Sequence, residues 1–72
     1  SLLDQAREGA ATRNLALYEA GILNSMGLVK QLSGQAAEAR NMFSQALERV
    51  SERIGRDNPL YVRIRRNLAQ AG

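Results

Sequence analysis

Ile22, Met26 and Gly27 recur 42 positions further along the chain as Ile64, Leu68 and Ala69, and Asn67 stands where Ser25 stood. No other feature limits the possible folds as much. A unit repeated with a period between about 20 and 50 residues cannot bury its apolar face by itself, so neighbouring units stack and share a core. The expected architecture is therefore a short helical solenoid, and the expected activity is contact with other proteins. With 72 residues the chain forms one domain, 1–72, and keeps a large share of its surface in water.

The local patterns are helical throughout. Val, Ile and Thr are scattered, no segment alternates apolar and polar residues for long, and the fold class read from the residues is all-α. The clearest helix follows Gly34, where Ala39, Phe43, Ala46, Val50 and Ile54 fall on one face from about Gln35 to Ile54. Ser33-Gly34 and Gly55 punctuate its two ends, since glycine accepts the positive φ of a helix stop. Beyond it, Asn58 is placed to cap a third helix whose first turn holds Pro59. That helix is expected to start at Leu60 and to run out at Gly72. Upstream, Tyr18, Ile22, Leu23, Met26, Val29 and Leu32 form a periodic apolar face. Gly9 offers a break and Thr12 a cap, so this first helix is expected to start near Ala11, with Leu2–Glu8 as a separate turn or two. A hairpin over 11–54 followed by a lone helix over 60–72 is the organisation implied.

Composition removes several functional classes. The sequence has no Cys and no His, which excludes disulfides and zinc–thiolate sites and takes away the usual general base, so no cofactor and no metal are expected. Asp4, Glu19, Glu38, Glu48, Glu52 and Asp57 fall on polar helical faces or in a turn, and Gly21, Gly27 and Gly34 follow no strand and precede no Gly-Lys-Ser/Thr. An enzyme is not expected. No run of about 18 apolar residues is present, so no membrane span is expected. The compartment stays open, leaning only slightly toward the cytoplasm, because both redox environments tolerate a chain without Cys.

Charge is uneven. Residues 1–48 carry a net charge of −1 and residues 49–72 a net charge of +4, the latter from Arg49, Arg53, Arg56, Arg63, Arg65 and Arg66 against Glu52 and Asp57. The basic end favours an acidic protein or peptide partner, and the planar guanidinium suits carboxylates. The alternative reading is a basic nucleic-acid-binding or regulatory dimer, with Arg56, Arg63, Arg65 and Arg66 around a helix–turn–helix-like junction. Nucleic acid is the less expected partner, because the connection Gly55–Pro59 is long for that motif and only Tyr61 supplies an aromatic beside the arginines.

Gly27, Ala39, Phe43 and Ala46, with Leu23 and Met26 ahead of them and Gly34 at the turn, resemble a tetratricopeptide repeat. Asp57-Asn58-Pro59 and Asn67-Leu68-Ala69 are similar to elements of the 42-residue, kinesin light chain-like variant of that family. The likeness covers about residues 18–70, one full repeat and the first helix of the next. Two positions depart from the family pattern: Lys30 occupies a site that favours an aromatic, and Ser51 replaces the proline that ends shorter repeats. The resemblance implies antiparallel helix pairs with small residues at the close approach, and first helices that line a groove for a peptide or protein. It places Asn24, Leu28 and Gln31 on one wall of that groove and Arg63, Arg66 and Gln70 on the next. Arg66 coincides with a position where some relatives hold a peptide's terminal carboxylate, and Gln70 stands where they often carry Asn.

Two apolar surfaces are left without partners in this reading. Leu60, Ile64 and Leu68 lie on a last helix with no following helix, and Leu2 and Leu3 lie at the other end. A homo-oligomer that buries them is expected.

Overall fold

The computed structural model describes residues 1–71, apart from the side chain of Leu3; the expected end of the last helix at Gly72 lies outside the described residues. Three helices make up the chain: α1 (Leu2–Leu32), α2 (Ala36–Arg53) and α3 (Pro59–Gln70). They run antiparallel in succession, and α2 lies between the other two. No strand is present among the described residues.

The first helix is longer than its sequence suggests. One uninterrupted α1 starts at Leu2, in place of a short turn followed by a helix from about Ala11. Its start is fixed by a capping box in which the Asp4 amide donates to Ser1 Oγ at 3.3 Å while the Asp4 carboxylate takes the Ser1 amino group. Gly9 does not break it, since one helical glycine costs about 1 kcal/mol and Ala6, Ala10 and Ala11 surround it. Thr12 caps nothing. Its hydroxyl donates back to the Glu8 carbonyl at 2.9 Å, the arrangement of a threonine inside a helix.

The other boundaries agree with the sequence to within a residue or so. After α1 the chain turns at Gly34, φ 79°, where the Gly34 amide donates to the Gln31 carbonyl and the Gln35 amide to the Lys30 carbonyl, satisfying the last carbonyls of the helix. Gly55, φ 117°, ends the next helix with its amide on the Val50 carbonyl. Asn58 caps α3, its side-chain oxygen accepting from the Leu60 amide at 2.9 Å, and Pro59 occupies the first turn.

The core is built on α2. Ala39, Phe43, Ala46 and Val50 are buried there, and Ala20, Ile64 and Ala71 join them from the two flanking helices. This is the α2 stripe expected from the sequence, with Ile54 half-buried at its end. On α1 the buried residues are Ala16, Ala20, Asn24 and Gly27, with Leu23 half-buried, and not the large apolar set expected there. Tyr18, Ile22, Met26, Val29 and Leu32 are exposed. Small side chains win the inner face because they let the helices approach closely. A Cβ built on Gly27 would stand 2.5 Å from Cε1 of Phe43, so the ring occupies the space that any other residue would fill. At the edge of this contact Arg49 pairs with Glu19 at 2.6 Å and Lys30 with Glu38 at 3.0 Å; both pairs are partly exposed and add little to stability.

Candidate protein-binding surface

Of the residues placed in the groove, Asn24 has a structural part. It is only 8% exposed, and its Oδ1 accepts a hydrogen bond from Asn67 Nδ2 at 2.8 Å, clipping the middle of α1 to α3. The remaining five lie around this clip. Leu28 is exposed and Gln31 half-buried, and with Asn24 they occupy one face of α1 at spacings of four and three residues. Arg63, Arg66 and Gln70 are exposed on one face of α3 at the complementary spacings, beside Asn67. Neither Arg63 nor Arg66 belongs to any ion pair or side-chain hydrogen bond among the described residues. Both guanidinium groups are thus free to meet an acceptor from outside.

The Asn24–Asn67 bond ties α3 to α1, which gives it a measurable weight. Asn67→Leu leaves a nearly buried amide without its partner and is expected to cost about 1–3 kcal/mol. A urea titration checks it: the double variant Asn24→Leu/Asn67→Leu should recover part of the loss, because removing both polar partners is cheaper than removing one.

The surface assigned to self-association needs correction. Ile64 is fully buried, Leu60 and Leu68 are half-buried, and Ala71 is 1% exposed, because this face of α3 packs on α2. Arg40 holds the end of the contact, its Nη1 donating to the Ala71 carbonyl at 2.9 Å. The face taken for an unpaired stripe is therefore already covered within the chain. Leu2 is exposed as expected, while the side chain of Leu3 lies outside the described residues.

The open apolar surface is on α1 instead. Tyr18 is 69% exposed, Ile22 44%, Met26 43% and Val29 61%, with Leu15 at 57% one turn before them. A shallow trough between Tyr18, Gly21, Ile22, Ser25 and Met26 marks the middle of the stripe. The 42-residue period contains the signal that finds it. Shifted by one period, Tyr18, Ile22, Met26 and Val29 become Leu60, Ile64, Leu68 and Ala71, the residues with which α3 and its C-cap join the core on α2. Apolar residues also lie on more than one side of α1, the pattern of a helix with more than one packing partner.

No described helix is long and apolar enough to cross a membrane, and no group of three or more Asp, Glu, His or Cys among the described residues is placed to hold a metal ion. A family model for the tetratricopeptide repeat matches residues 18–71, most of the chain. No curated protein and no solved structure matches the chain at a significant level.

Proposed function

Because the chain belongs to the tetratricopeptide repeat family, we propose that it is a non-catalytic protein–protein interaction module that takes an extended, acidic peptide or protein segment along the wall formed by α1 and α3. The observation that carries this reading is the pair of unpartnered guanidinium groups, Arg63 and Arg66, exposed on the α3 face beside the Asn24–Asn67 clip. Arginine forks bind carboxylates in bidentate fashion, and Gln31 and Gln70 add amide donors and acceptors for a peptide backbone. Leu28 gives the α1 wall one apolar contact. In this reading the chain also self-associates, through a face other than Leu60, Ile64 and Leu68.

The test is a titration against peptides selected from a displayed random library. Selected peptides should be enriched in Asp and Glu, and the double variant Arg63→Ala/Arg66→Ala should bind them at least tenfold more weakly with its helical signal intact. Raising the salt should weaken binding only mildly, because few ion pairs form. If instead the chain bound duplex DNA with affinity falling steeply in salt, the phosphate-binding alternative would replace this reading.

A further inference from the structure

The open stripe on α1 can be assigned an occupant from the chain's own internal repetition. One period later the equivalent residues, Leu60, Ile64, Leu68 and Ala71, are covered by α2. The stripe Tyr18, Ile22, Met26 and Val29 is therefore shaped for a helix of the α2 kind. The α2 of the same chain cannot serve, because α1 and α3 already cover its two apolar flanks.

A second helix of that kind is present in the sequence. Gln5, Ala6 and Glu8 repeat Gln45, Ala46 and Glu48, with Arg7 in place of Leu47; Leu2 and Leu3 stand where Met42 and Phe43 stand, and Ala10 matches Val50. The first nine residues of α1 thus carry the apolar pattern of α2, 40 positions earlier. In the structure they continue α1 as one rod and point away from the stripe that such a segment would cover. The reason lies in the connection. Between α2 and α3 the chain reverses through Gly55 at positive φ, the Asn58 cap and Pro59. The stretch Ala11–Leu17 holds neither glycine nor proline, and its alanines and leucines favour continued helix. The segment cannot fold back without breaking the helix in or next to that stretch, where Gly9 and Thr12 leave α1 continuous.

On these grounds, and resting on the self-association proposed above, we propose that two copies of the chain pair through antiparallel α1 helices, residues Leu2–Ala10 of each copy covering Tyr18, Ile22, Met26 and Val29 of the other. The contact between Arg40 and Ala71 fixes the antiparallel register of α2 against α3. Carried back by the repeat, that register sets Leu3 opposite Met26 and Arg7 opposite Ile22. The two halves of the interface then mirror each other about a point between Asn14 and Leu15, the place where a two-fold axis must pass for the same contacts to form twice. Exposed Leu15 extends the stripe to that axis. Arg7 lays its methylenes along Ile22 and keeps its charge in water.

The experiment uses the full chain, whose lack of native cysteine permits single-cysteine variants. Light scattering over a rising concentration series should give the mass of a dimer, and Ile22→Asp should shift it to the monomer with the helical signal kept. Asn14→Cys, beside the axis, should form a disulfide-linked dimer on mild oxidation, whereas Asn41→Cys, exposed on α2, should not. A monomer at every concentration overturns both this pairing and the self-association it rests on. A dimer that survives Ile22→Asp, or that links through Asn41→Cys as readily as through Asn14→Cys, leaves self-association standing and overturns this interface. A monomer in which spin labels at Ala6 and Ile22 lie close together overturns it too, and would mean that the segment covers the stripe of its own chain.

Discussion

The chain carrying Phe43→Ala is expected to unfold at a much lower urea concentration than the parent chain. Phe43 is fully buried and is the largest side chain in a core otherwise made of Ala20, Ala39, Ala46, Val50, Ile64 and Ala71. Truncating a buried Phe to Ala costs about 3–5 kcal/mol, from lost transfer free energy plus the cavity left behind. A domain of 72 residues has a total stability of about 4–11 kcal/mol at typical values per residue. The loss is thus a large part of the whole. Small neighbours on both sides cannot close the gap, because alanine has no rotamer to swing into it. Leu32→Ala removes a large apolar side chain from a position 89% exposed at the end of α1 and is expected to shift stability by no more than about 0.5 kcal/mol. Urea midpoints of the two variants test the assignment, and equal losses would show that Phe43 is not the centre of the core.

Gly27→Val is expected to destabilise the chain by about 2–3 kcal/mol, although valine is the better helix former. An added Cβ would meet Cε1 of Phe43 at 2.5 Å, Cδ1 at 2.7 Å and Cζ at 3.0 Å. The ring is fully enclosed, so relief requires moving α2 away from α1, which loosens the contacts of Ala39 and Ala46 as well. The cost should therefore be coupled to the ring itself. Adding Phe43→Leu to Gly27→Val should recover stability, since leucine is smaller and can turn away from the added methyls, and the double-variant cycle should show a favourable coupling of at least about 1 kcal/mol. Gly21 is the control on the same helix. No heavy atom lies within 4 Å of a Cβ built there, and Gly21→Ala should stabilise the chain by about 0.5–1 kcal/mol. If Gly27→Val and Gly21→Ala change the urea midpoint in the same direction, the close approach of the two helices is not what holds this hairpin.

The contrast between the two glycines also shows why the α1 core was hard to read from the chain. Both sit in the same helix, six residues apart, with alanines and large apolar residues close by. Periodicity alone favoured Tyr18, Ile22, Met26 and Val29 as the buried face, because large apolar residues dominate any count. The buried face is instead Ala16, Ala20 and Gly27, chosen by the volume of a single ring on the facing helix. On α2 no such competition exists: it carries one apolar stripe, and there the expected and observed buried residues agree, while the single stripe of α3 was read correctly as a stripe but not as covered by α2. The structural role of Asn24 was not legible in the chain. Nothing along the chain signals that its partner stands 43 residues away, on a different helix.

By itself the sequence determined the helical class, the two reversals at Gly34 and Gly55, the capped start of α3 at Asn58, and the family to which residues 18–71 belong. These are properties of local backbone preference and of spacing, and both are written into neighbouring residues. Tertiary structure alone decided which face of α1 turns inward and that Ile64 and Leu68 are covered by α2 rather than left open. Helix contact depends on how closely two axes can approach, which is a property of pairs of surfaces. One chain read in order contains both surfaces but not the distance between them.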